Sequence, residues 1–109
     1  MKTRYYIAYG SNLNVEQMQH RCPGAQPVAT AMLTGYQLLF KGSKTGSYLT
    51  IEEKRGSYVP VAIWAVTAMD EKNLDRYEGF PDFYYKKEFR LTADFIDGGR
   101  RQIRCFALI

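Results

Sequence analysis

The chain has 109 residues, enough for one unit with a single modest core, burying roughly 65% of the surface the unfolded chain exposes. Its hydrophobic fraction of 46% is ordinary for a globular protein, and its aromatic fraction of 15% is high, with nine Tyr and six Phe, which excludes a disordered or low-complexity chain. The net charge of +4 is spread along the sequence, which favours small acidic molecules slightly and does not establish a nucleic-acid partner.

Taken in chain order, Tyr5-Tyr6-Ile7-Ala8-Tyr9 is β-branched and aromatic and predicts a first strand buried on both faces. It breaks at Gly10-Ser11-Asn12 and is followed by a short helix over Val15–Arg21, which Asn14 would cap and Pro23-Gly24 would stop. Two strand-like pieces follow, Val28–Leu33 and Tyr36–Phe40, separated at Gly35, then a polar loop over Gly42–Ser47. Tyr48–Glu52 and Tyr58–Val66 predict a hairpin across Lys54-Arg55-Gly56-Ser57, with Pro60 marking an edge or bulge. Asp70 opens a second helix carrying Leu74 and Tyr77, which Gly79 and Pro81 end. A strand over Tyr84–Phe95, a hairpin turn at Asp97-Gly98-Gly99 and a return strand over Gln102–Ile109 complete the chain. About six or seven strands with two short helices, not regularly alternating, predict an α+β fold or a partly open, mostly antiparallel barrel.

Several chemistries lose support at once. One His and two scattered Cys, Cys22 and Cys105, make no metal-ligand cluster and no CxxC pair. His20 would need a Ser-His-Asp set built around it, and Cys22 has no basic neighbour beyond Arg21. Gly42-Ser43-Lys44-Thr45-Gly46 lacks the spacing of a phosphate-binding loop. Arg100-Arg101 with Arg104 is the densest basic stretch and has no aromatic interleaving. No segment reaches the ~20 apolar residues of a membrane span, and Met1-Lys2-Thr3-Arg4 leads into too short an apolar stretch for a secretory signal. The expectation is a cytoplasmic protein with reduced thiols and no membrane partner.

Two places remain for chemistry. A buried strand running into Gly10-Ser11-Asn12 and then a helix leaves backbone N–H groups without regular partners, which suits a carboxylate or phosphate; an ordinary capped turn has the same sequence. Glu78 ends a helix, at the end of the dipole that disfavours negative charge, and is flanked by Tyr77, Phe80 and Phe83. Both effects would raise its pKa toward an acid/base range, while a solvated Glu paired with Arg76 or a Lys is the plainer alternative.

Together these two stretches resemble the γ-glutamylcyclotransferase-like family, which includes γ-glutamylamine cyclotransferases and the plant avirulence-induced proteins. Tyr6-Ile7-Ala8-Tyr9-Gly10-Ser11-Asn12-Leu13 is similar to its substrate loop, and Leu74-Asp75-Arg76-Tyr77-Glu78-Gly79 with Pro81-Asp82-Phe83-Tyr84 to its second signature. The resemblance implies one domain over residues 1–109, a small mixed β-barrel with flanking helices, and no cofactor. It implies that Tyr9, Gly10, Ser11, Asn12 and Leu13 hold the α-amino and α-carboxylate ends of a γ-glutamyl group. Glu78 would be the catalytic carboxylate, and Tyr84, or less readily Tyr85, would line the pocket. The implied reaction releases 5-oxoproline from a γ-glutamyl amine or peptide; a non-catalytic module binding an acidic metabolite or peptide terminus in the same pocket is the rival. Family members usually continue past the last strand, so a sequence ending at Ile109 leads one to expect a less enclosed pocket or a covering segment supplied otherwise.

Overall fold

The computed structural model describes residues 3–9, 15–43, 46–78 and 84–109, excluding the side chains of 41–43, 46–48 and 78. The β-branched and aromatic runs become five strands: β1 (Arg4–Ala8), β2 (Gln26–Ser43), β3 (Gly46–Val66), β4 (Lys86–Phe95) and β5 (Arg100–Leu108). Two short helices interrupt them, α1 (Val15–Arg21) and α2 (Ala68–Glu78). The strands close into a barrel in the order β1-β3-β2-β4-β5. All neighbours are antiparallel except β1 and β5, which pair in parallel at Tyr5↔Cys105 and Tyr6↔Phe106. The expected mixed, mostly antiparallel barrel with flanking helices is therefore present.

Strand alternation divides the core in two. Ile7, Tyr9, Ala31, Val61, Ile63, Leu91, Ala93 and Ala107 fill the barrel interior. The opposite faces of β1, β3 and β5 present Tyr6, Ala8, Trp64, Val66, Phe106 and Leu108 to the helices, which add Met18 and Leu74. β1 is buried on both faces because it lies between β3 and β5 with helices outside it.

Two sequence expectations are corrected. The pieces on either side of Gly35 form one strand, and so do Tyr48–Glu52 and Tyr58–Val66. The hairpin folds instead between β2 and β3, whose pairing runs outward to Ser43↔Gly46. Residues 54–57 are not a turn; they lie opposite Gly35 between the pairs Thr34↔Tyr58 and Tyr36↔Glu53. Gly35 (φ 81°) and Gly56 (φ 84°) take the left-handed backbone that such a bulge needs and that a side chain resists. The local signature of a bulge and of a turn is the same glycine, so the sequence alone does not distinguish a strand that kinks from one that ends. Pro60 lies past the final β1–β3 pair, Ala8↔Ala62, where β3 has β2 on one side, which spares its missing N–H.

Helix α1 has its expected limits. Helix α2 begins two residues earlier than Asp70. Thr67 is the cap: its hydroxyl accepts from the Asp70 N–H at 3.2 Å, and the Asp70 carboxylate accepts from the Thr67 N–H at 3.1 Å. This reciprocal box places Asp70 in the first turn rather than ahead of it. The expected hairpin turn is present, with the Gly99 N–H donating to the Asp97 carboxylate at 3.1 Å and the Phe95 N–H to the Gly99 carbonyl at 2.7 Å.

Candidate active site

One end of the barrel collects the described candidates. Tyr9 leaves the end of β1, and its hydroxyl donates to the Leu108 carbonyl on β5 at 2.5 Å. Leu108 pairs with Lys86 at the start of β4, and the ladder continues through reciprocal bonds between Tyr85 and Ile109 at 2.9 and 2.8 Å. Tyr84 enters at this same end. It is buried on the helix side, and its hydroxyl donates to the Leu49 carbonyl of β3 at 3.0 Å. Tyr85 turns outward and is 57% exposed. Each buried phenol is thus oriented by a main-chain acceptor, the usual requirement for a Tyr hydroxyl out of water.

Gly10, Ser11, Asn12 and Leu13 lie outside the described residues, as does the side chain of Glu78. The backbone of Glu78 is the last residue of α2. What holds that helix is clear. Glu71 on α2 receives Lys86 at 2.6 Å and Arg4 at 2.8 Å, and Asp75 receives Lys86 at 3.1 Å. The Arg4 guanidinium also lies 4.5 Å from the centroid of the buried Phe106 ring, with the Lys86 ammonium at 5.3 Å. These contacts fasten the helix to the starts of β1 and β4. In the same first turn, the buried Asp70 carboxylate accepts from the Gly24 N–H at 3.2 Å and the Thr67 hydroxyl at 2.9 Å, tying α2 to the turn after α1. The signal for this tie, Thr67-x-x-Asp70, is in the sequence as a capping box, whereas its Gly24 partner is a tertiary contact with no local signature.

The remaining polar groups define what is elsewhere. The Trp64 indole N–H, buried on the helix side, has no hydrogen-bond partner among the described residues. Burial pushes both thiols up to about 11; for Cys22 the nearby Asp70 charge adds to burial and Arg21 partly opposes it. Neither is a ready nucleophile. Arg100 is paired with Asp94 at 3.1 Å, and Arg101 lies 3.8 Å from Asp97 and 3.7 Å from the Phe95 ring centroid, so this basic stretch is not a bare cationic strip. A cleft of about 670 Å³ opens between β2 and β4 beside Met32, Pro60, Arg90 and Arg100, and neither Tyr9 nor Tyr84 lines it. Among the described residues no group of His, Cys, Asp and Glu could hold a metal ion, and no helix is long and apolar enough to cross a membrane.

Residues 6–108, spanning the Tyr9 loop, Glu78 and Tyr84, match the family model for γ-glutamyl cyclotransferase, AIG2-like. The chain belongs to this family. A Bos taurus γ-glutamylcyclotransferase is 34% identical over 87 residues, covering 73% of this chain and 46% of that protein. A solved γ-glutamyl cyclotransferase structure superposes with a TM-score of 0.78 at 26% identity, covering 99% of this chain and 66% of that one. An uncharacterised Homo sapiens protein gives a TM-score of 0.78 at 27% identity, over 100% of this chain and 67% of its own. The matched part of the chain thus spans about half the length of the bovine cyclotransferase, and its barrel is the cyclotransferase-family barrel.

Proposed function

We propose that the chain is a cyclotransferase that converts a γ-glutamyl amine or γ-glutamyl peptide to 5-oxoproline and a free amine. The observation that carries this reading is the family match over residues 6–108, which takes in both the substrate-loop stretch and the helix ending in Glu78. The placement of Tyr9 and Tyr84 at the same end of the barrel, on its inner and helix-side faces, supports it.

The substrate supplies its own nucleophile. Its α-amine attacks the γ-carbonyl, a C–N bond closes a five-membered ring, and the original amide C–N bond breaks. No water enters, because the leaving nitrogen is replaced by one from the same molecule. The protein's main task is to hold the folded conformer, with the Tyr9–Leu13 loop gripping the α-amino and α-carboxylate groups. A free α-amine has a pKa near 8, so a proton must leave before attack. Glu78 accepts it and returns it to the departing nitrogen as the carbonyl re-forms; the carboxylate so freed takes the ring nitrogen's second proton, which passes to the released amine through solvent. Positioned transfer of this kind is worth roughly 10²–10⁴-fold. Loop amides facing the γ-carbonyl oxygen would stabilise the charge that develops there.

The test is a panel of γ-glutamyl dipeptides and γ-glutamyl amines, with 5-oxoproline measured by mass spectrometry. Formation of 5-oxoproline with equimolar amine supports the reading. Saturable uptake of the same compounds without product would convert it to a binding module.

A further inference from the structure

Cyclotransfer as described leaves the departing amine undefined. The interior face of β4 runs through Phe95, Ala93 and Leu91 to Phe89, and Lys87 continues it to the end of the barrel. Its cross-strand partner on β5 is Ala107, fully buried in the interior core. Lys87 therefore opens onto the barrel end where Tyr9 bonds Leu108, rather than onto the helix side that Lys86 faces. Its ammonium donates to the Tyr36 hydroxyl at 2.8 Å and lies 5.4 Å from the centroids of both Tyr36 and Phe89. The Glu53 carboxylate forms an ion pair with it at 3.6 Å, longer than a direct hydrogen bond and from a side chain that is 78% exposed, so a ligand carboxylate can displace it. An ammonium has three donors, and Tyr36 takes one. The side chain is 37% exposed, so a ligand can reach it. Its pKa is raised, chiefly by the hydrogen bond to Tyr36, and it is fully cationic at neutral pH.

We propose that Lys87 selects the leaving group: its ammonium, steadied by Tyr36, receives a carboxylate carried by the departing amine. This rests on the cyclotransferase reading. Strands β1, β5 and β4 are successive around the barrel, so Tyr9 and Lys87 flank β5 on the same interior face, offset by two residues along it and roughly 12 Å apart. An extended γ-glutamyl dipeptide spans on the order of 7–8 Å from its glutamyl α-carbon to its far carboxylate, and the lysine stem covers the remainder. A γ-glutamyl group gripped beside Tyr9 would then carry an amino-acid leaving group to Lys87. A cationic or neutral leaving amine would gain nothing there. If Lys87 served instead to tie β2 to β4, its loss would lower stability without changing which compound is preferred.

The experiment compares γ-glutamyl-alanine with its C-terminal carboxamide, which differ by one charge, using the wild-type chain, K87Q and K87R. Both 5-oxoproline formation and calorimetric binding are measured, with thermal melts to confirm folding. The expected result is a wild-type kcat/KM preference of roughly tenfold for the carboxylate, the scale of one partly exposed charge-assisted hydrogen bond. K87Q should erase it by slowing the carboxylate compound alone, and K87R should keep most of it. Equal wild-type rates on the two compounds, or an unchanged preference in K87Q, would overturn the role of Lys87 while leaving the cyclotransferase standing. Absence of product from both compounds and from every other member of the γ-glutamyl panel would overturn the cyclotransferase reading, and calorimetry would then decide: a carboxylate preference lost in K87Q retains the subsite, and no preference removes it.

Discussion

At the scale of single residues, burial sets what the ionisable groups can do. Cys22 and Cys105 are buried, and each thiol is pushed from 9.0 to about 11. Below pH 9 both folded and unfolded chains keep the thiols protonated, so the shift has no effect there. Above it the unfolded chain ionises first, and stability falls as pH rises from about 9 toward 11, by on the order of 2 kcal/mol per thiol. Urea midpoints measured across this range should decline less steeply in a Cys22→Ala, Cys105→Ala double variant. An identical slope would show that the thiols do not titrate differently on folding. The end of β1 was legible in the sequence because Gly10-Ser11-Asn12 interrupts an apolar run. The role of Lys87 was not, because its meaning depends on the strand parity that turns it toward the barrel interior and on Tyr36, which lies 51 residues away in sequence.

At the scale of elements, α2 is the part of the fold on which the proposed chemistry depends, since Glu78 is its last residue. Its first turn is fixed by Asp70, which is 2% exposed and satisfies the N–H of Thr67, the hydroxyl of Thr67 and the N–H of Gly24. Replacing Asp70 with Ala leaves those donors without their acceptor and should cost about 2–4 kcal/mol, read from denaturant midpoints. A loss below about 0.5 kcal/mol, the range of ordinary surface substitutions, would mean the tie is incidental. The helix itself was readable from sequence to within two residues, because capping chemistry is local. The β2–β3 hairpin was not. Gly35 and Gly56 have the composition of turns, and whether a glycine reverses a strand or bulges it depends on the partner strand.

At the scale of the molecule, closure of the barrel divides the sheet into strands paired on both sides and a two-stranded extension of β2 and β3. Residues 61–65 of β3 lie in the closed part, with β2 on one side and, from Ala62, β1 on the other, whereas residues 46–53 pair with β2. A two-stranded ribbon resists opening less than a strand held on both sides. Amides of Ile63 and Trp64 should therefore exchange far more slowly than those of Thr50 and Glu52, by at least tenfold in hydrogen-exchange mass spectrometry or NMR. Equal protection would indicate that the ribbon opens with the barrel as one unit. The barrel's mostly antiparallel character was legible from the strand count and short connections. Its closing contact was not, because the parallel pairing of β1 with β5 joins the two ends of the sequence.

The measurement that bears most directly on the central claim is 5-oxoproline formation by the wild-type chain and by Glu78→Gln, with circular dichroism confirming that both fold alike. The expected result is turnover of at least one γ-glutamyl compound by the wild type and a loss of roughly 10²–10⁴-fold in kcat for the Gln variant, with substrate binding largely kept. A Gln variant as active as the wild type would remove Glu78 from the mechanism, and a wild-type chain that forms no 5-oxoproline from any member of the panel would contradict the cyclotransferase assignment itself.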